Sequence, residues 1–181
     1  MKSKLLGTTV LSLLLVGALT APALAASPHF KKGGAPVCRI TGTSTSKTVV
    51  CTGTLAGLGN EDVVIESTVS GFAVYQCQNK GGNIAPGQNR VLEGPSTTPT
   101  VIPSGEIKNG NLTFTTNPNT LSADPTVSGA EAGCPNGNWT GVNPTLTITS
   151  ITLTISQGGT TFYNETVSDP NGLSGTVRFP A

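Results

Sequence analysis

The chain has 181 residues, of which 10% are charged, with 10 Lys and Arg against 9 Asp and Glu. That length suits one domain with a substantial core and leaves little room for two. A formal net charge of +1 excludes the basic surface that would draw nucleic acid or anionic lipid, so neither is expected as a partner.

Met1 to Ala25 reads as a secretory signal peptide. Lys2 and Lys4 form the basic start, Leu5 to Leu19 the apolar stretch, and Ala23-Leu24-Ala25 the small-x-small cleavage site. A membrane anchor is the competing reading. The apolar stretch, however, is about fifteen residues long and interrupted by Gly7, Thr8, Thr9, Ser12 and Gly17, where a spanning helix needs about twenty. Cleavage would remove Lys2 and Lys4 and take the net charge from +1 to −1. The mature protein is then expected outside the cell, unattached to a membrane, with solubility carried by Thr, Ser, Asn and Gly.

Ala26 to Pro36, with Lys31-Lys32-Gly33-Gly34, reads as a disordered lead-in. Residues 37–181 then form a single domain, and β-branched residues alternating with Thr and Ser make it all-β. Val37–Thr43 and Val49–Leu58 predict a hairpin. Val63 to Cys77 predicts a strand whose buried face is Val63, Ile65, Val69, Ala73, Tyr75 and Cys77, with Gly71 marking a bulge or bend. Two long irregular stretches follow, Gln78–Gly105 and Asn117–Asn138, with a short strand over Arg90–Leu92 inside the first. Loops of that length in a compact domain are usually functional or disordered, which makes their meeting point the place to look for a binding surface.

Lys108-Asn109-Gly110-Asn111 predicts a type I′ turn, and Gln157-Gly158-Gly159-Thr160 a second tight turn. From Leu146 to Ile155 the apolar alternation slips by one near Thr149-Ser150, which predicts a bulge or a bend between sheets. Seven to nine short strands with almost no helix point to an antiparallel sandwich of immunoglobulin-like or Greek-key type, or to a small barrel.

Cys38, Cys51, Cys77 and Cys134 are an even set in an exported chain, so two disulfides are expected, with three connectivities possible. Cys38 with Cys51 and Cys77 with Cys134 is the favoured pairing. The second bridge would tie both long loops to the core and contribute about 3 to 4 kcal/mol. Zinc is disfavoured because there is no Cys-x-x-Cys spacing and no histidine partner.

The only histidine, His29, falls in the lead-in, so no Ser-His-Asp or Cys-His arrangement is expected in the domain. Carboxylate chemistry on a polysaccharide is the enzymatic alternative, drawn from Glu61, Asp62, Glu66, Glu93, Glu106, Asp124, Glu131, Glu165 and Asp169. None of these lies in a motif. Asn60-Glu61-Asp62 and Asp169-Pro170-Asn171-Gly172 are oxygen-rich but lack the spacing of a calcium loop and read as capped turns. No catalytic residue, metal or cofactor is therefore assigned.

Trp139, the single tryptophan, has two readings: a residue packed on the nearby disulfide, or a sugar-stacking platform among Asn136 and Asn138. Asn83, Gln88 and Asn89 from the first long stretch complete the candidate binding surface. Asn111, Asn138 and Asn164 each begin an N-x-Thr glycosylation pattern.

Cys51-Thr-Gly-Thr-Leu-Ala-Gly-Leu-Gly-Asn60, the run from Cys77 to Asn89, and Cys134-Pro-Asn-Gly-Asn-Trp-Thr140 resemble small exported bacterial proteins of actinobacterial type. The resemblance spans most of the mature chain and implies a shared secreted β-fold. It carries over no activity and no functional residue. The expected function is a secreted, non-catalytic β-domain of binding or structural type, whose partner is a polysaccharide or a surface protein. A carboxylate-dependent polysaccharide hydrolase is the alternative. An exported inhibitor or toxin, offering Lys80-Gly81-Gly82 or Gln88-Asn89-Arg90 as an exposed rigid loop, is a third possibility.

Overall fold

The computed structural model describes residues 26–181, so the predicted signal peptide lies outside the described residues. The fold is all-β, in two antiparallel sheets. Its eleven strands are β1 (His29–Phe30), β2 (Val37–Gly42), β3 (Ser46–Ala56), β4 (Val63–Gln78), β5 (Ile84–Ile102), β6 (Leu112–Thr115), β7 (Asn119–Ser122), β8 (Val127–Ser128), β9 (Thr140–Gln157), β10 (Thr160–Leu173) and β11 (Thr176–Arg178). One 3-10 turn, Ser104–Glu106, is the helical element among the described residues.

The first sheet is built on β3. Its hairpin partner β2, extended by β11, lies on one side, and β6 and β7 lie on the other. The second sheet runs β10, β9, β4, β5, with β8 added to β9. Every odd residue from Val63 to Cys77 is buried, as the alternation predicts, and Val63, Ile65 and Val69 of this face share one core with Val49, Cys51, Leu55 and Phe114 of the first sheet.

Two predicted irregularities sit where the pattern placed them. β4 residue Ser70 pairs with Ser150, but Gly71 pairs with Ile148, so Thr149 is the extra residue of a bulge. That bulge keeps Leu146 and Ile148 buried along with Ile151, Leu153 and Ile155. Gly71 sits against the Thr147 carbonyl, where a Cβ would collide with the backbone. Asn109 (φ 52°) and Gly110 (φ 72°) form the predicted turn, closed by a bridge between Lys108 and Asn111. Gly158 (φ 55°) and Gly159 (φ 79°) join β9 to β10.

Three expectations are corrected. Ala26–Pro36 is not a disordered lead-in. β1 pairs with the end of β3, Lys31 N donates to Thr54 O at 3.0 Å, and Phe30 meets the edge of the Tyr163 ring at 4.8 Å between centroids.

Most of Gln78–Gly105 is not a loop but β5, a strand of 19 residues paired along β4. Its Pro86, Pro95 and Pro99 concealed it. Those residues are tolerated because β5 has a strand partner on one side only, as an edge strand, and its ladder slips at two places. Asn117–Asn138 likewise contains β7 and β8.

A single buried amide joins the two sheets at mid-span. Asn119, fully buried on β7, donates from Nδ2 to Ser67 O of β4 at 2.6 Å and to Ser96 O of β5 at 2.9 Å. Its Oδ1 accepts from Ser96 Oγ at 2.8 Å, so the amide is fully used. Beyond this point the segment from Ala123 to Trp139 closes over the far end of β4 and β5, around a second cluster of Ala73, Tyr75, Cys77 and Ala132. Both disulfides have the favoured pairing. Cys38–Cys51 joins directly paired residues of β2 and β3, and Cys77–Cys134 ties β4 to the covering segment.

Candidate functional site

The two stretches first read as loops meet at the end of β4. After Gln78 the chain reverses through Asn79 to Asn83. Asn79 Oδ1 accepts from Gly81 N and Asn83 N, each at 2.9 Å, and Gly82 N donates to Asn79 O at 2.9 Å with Gly82 at φ 81°. Asn at the start of such a turn replaces backbone partners with its own side chain. Opposite it, Asn136 Oδ1 accepts from Asn138 N at 3.0 Å, and Trp139 N donates to Asn136 O at 3.2 Å.

The Cys77–Cys134 bridge, with Cα atoms 5.6 Å apart, anchors both turns to the same cluster. Between them lies an open recess of about 380 Å³ lined by Asn79, Lys80, Gly81, Asn136, Asn138 and Trp139. The Trp139 side chain is half-buried against the cluster of Tyr75, Cys77 and Ala132, and it also forms part of the recess wall.

Asn136, Asn138 and Trp139 are therefore brought together, whereas Asn83, Gln88 and Asn89 do not line this recess. Asn83 closes the β4–β5 turn. Gln88 is exposed on β5, its backbone N bonded to Ala132 O at 3.0 Å. Asn89 is a latch: Nδ2 donates to Ala130 O and Glu131 O, holding the covering segment against β5. Asn79 and Lys80 take their place. The sequence assigns neither to the binding surface, and names Lys80 only in a candidate inhibitor loop, because a turn folded on an Asn looks like any polar loop. The run Asn79-Lys80-Gly81-Gly82-Asn83 was the one available signal.

A larger open cleft of about 770 Å³ lies near the second ladder slip of β4, between Val74 and Gln76. Val74, Ile84 and Pro86 give it an apolar floor, and Ser44, Gln76 and Asn143 give it polar edges. Tyr75 is the one titratable side chain in its lining. Asn143, at φ 52°, donates from Nδ2 to Gln76 Oε1 at 2.9 Å and so spends its amide within the protein.

Two of the carboxylates accept from backbone N–H groups and three others gather in one cluster. Asp169 Oδ1 accepts from Asn171 N at 2.8 Å, as a capped turn should, whereas Asp62 Oδ1 accepts at 2.8 Å from Ser104 N of a distant segment rather than from its own turn. Among the described residues no three His, Cys, Asp or Glu side chains gather closely enough to hold a metal ion.

Glu93, Asp124 and Glu131 surround the Tyr75 hydroxyl at longer range. Tyr75 donates to Asp124 O at 2.9 Å and more weakly to Glu93 Oε1 at 3.4 Å. Burial, followed by the Glu93 charge, pushes the Tyr75 phenol up to about 12. Burial also raises the Glu93 carboxyl; the nearby Asp124 and Glu131 charges add to this, and the Tyr75 bond partly offsets it. None of the three carboxylates lines the Trp139 recess or the larger cleft.

His29 is exposed on β1, its Nδ1 2.8 Å from Ser27 O. Lys80 sits in a turn folded back on Asn79, which differs from the extended, exposed loop that an inhibitor of bait type would present. Compared with known proteins, the chain matches no family model, no curated protein and no solved structure.

Proposed function

We infer that this protein is a secreted, non-catalytic β-domain that binds polysaccharide at the cell surface or in the extracellular matrix, with the recess at Trp139 as its binding site. The observation that carries this reading is the convergence of one indole and three asparagine side chains on a recess whose walls are stapled by Cys77–Cys134. An indole offers a flat apolar face to a sugar ring, amides offer directional hydrogen bonds, and a stapled frame limits the ordering cost of binding. The two disulfides fit an oxidising compartment, and no helix among the described residues is long and apolar enough to cross a membrane.

The carboxylate-hydrolase reading draws support from Glu93, whose raised carboxyl has acidic neighbours in Asp124 and Glu131. It is the weaker reading because these groups lie outside both recesses, where a sugar chain would have no seat. Incubating the oxidised protein with insoluble polysaccharides, and measuring retention and released reducing sugar together, separates the two. Retention without release, lost in Trp139→Ala, is the expected result. Release that disappears in Glu93→Gln would replace the binding reading with the hydrolase.

A further inference from the structure

The polar groups around the Trp139 recess are unequally engaged. The side-chain oxygens of Asn79 and Asn136 are already committed, each accepting from backbone N–H groups of its own turn at 2.9 to 3.0 Å. An amide whose oxygen is held inward leaves its NH₂ as the free end. Lys80, exposed on the same rim, adds donors and a positive charge, and Trp139 adds a ring N–H that has no protein partner among the described residues. No carboxylate lines the recess. The side-chain groups left free toward the recess are therefore mostly donors, with the unengaged Asn138 amide adding one acceptor oxygen.

A neutral sugar presents hydroxyls that both donate and accept, and would leave several of its donors unmatched here. A ligand with more acceptors than donors and a negative charge matches the lining, and a carboxylate on a sugar ring supplies both beside an apolar ring face. We propose that the Trp139 recess selects acidic saccharides, with Lys80 and the amide NH₂ groups of Asn79 and Asn136 receiving a uronate carboxylate while Trp139 packs against the ring. This deepens the polysaccharide-binding reading and rests on it. It also runs against the composition, since a chain with so few charges first suggests a neutral glycan.

The test uses the oxidised protein, polygalacturonate, the same polymer fully methyl-esterified, and dextran sulfate, with retardation in affinity electrophoresis as the readout. The expected result is retardation by polygalacturonate that esterification abolishes, that Lys80→Met weakens by about tenfold or more, and that added salt reduces. Asn138→Asp, which places a negative charge on the rim and leaves the backbone bond to Asn136 intact, should weaken polygalacturonate binding in the same way. Both positions are exposed, and matching thermal midpoints confirm that the variants fold.

Equal retardation by the acid and ester forms, unchanged in Lys80→Met, would overturn the acidic-sugar inference and leave the polysaccharide reading standing. Retardation by dextran sulfate alone would overturn the carboxylate assignment. Retardation by none of these polymers, together with no retention on neutral ones, would overturn both readings.

Discussion

Glu93 lies on the inner face of the second sheet, two residues from Val91 and paired with Gly71, under the segment that carries Asp124. Its carboxyl is raised by burial and by the Asp124 and Glu131 charges, so the folded state favours the neutral form. The resulting stability is fully present below the ordinary carboxyl range and is lost as pH rises through the raised value. Urea midpoints should therefore fall as pH rises above the ordinary carboxyl range, and Glu93→Gln should flatten that slope and raise the midpoint on its alkaline side. A slope unchanged by the substitution would assign the pH dependence elsewhere. Two buried polar residues make an opposed pair. Asn119→Ala strands Ser67 O and Ser96 O and should cost about 2 to 3 kcal/mol. Ser67 Oγ is buried without a partner, so Ser67→Ala should be neutral or mildly stabilising in the same urea titration.

Among the elements, β4, the β2–β3 hairpin, the β9 bulge and both Gly-containing turns were legible in the sequence. Each depends on a local rule, alternation or positive φ, that neighbours along the chain decide. β5 was not legible. Its pairing is fixed by the length of β4 across the sheet, and its three prolines are acceptable because no second strand pairs along its outer side. The same limit explains the site. Asn136, Asn138 and Trp139 follow Cys134, while Asn79 and Lys80 follow Cys77, and only the disulfide, which spans 57 residues, brings the two runs together. Replacing Cys77 and Cys134 together with Ala should cost about 3 to 4 kcal/mol by the loop-entropy estimate. It should also raise hydrogen exchange in residues 129–139 well above that in β9, since the Asn89 amide and the Gln88 and Asn89 backbone N–H bonds to Ala132 O would be left as the main holds on that segment. At the bulge, Gly71→Ala should lower stability by about 1 to 3 kcal/mol, because its Cβ meets the Thr147 carbonyl rather than a flexible side chain.

Over the whole molecule, two sheets locked by Asn119 and a continuous apolar core form a rigid platform, and the distinctive chemistry sits at one end, beyond that lock. In the proposed binding role such a platform would rearrange little, so affinity should track the recess rather than the sheets. Trp139 is the only tryptophan and stands in the recess wall, so its emission reports on that site alone. The most direct measurement is a fluorescence titration of the oxidised protein with oligogalacturonate. A saturable shift in emission, absent with the methyl-esterified oligomer and weakened in Lys80→Met, is the predicted result. Binding seen by affinity electrophoresis while Trp139 emission stays unmoved would contradict the placement of the site.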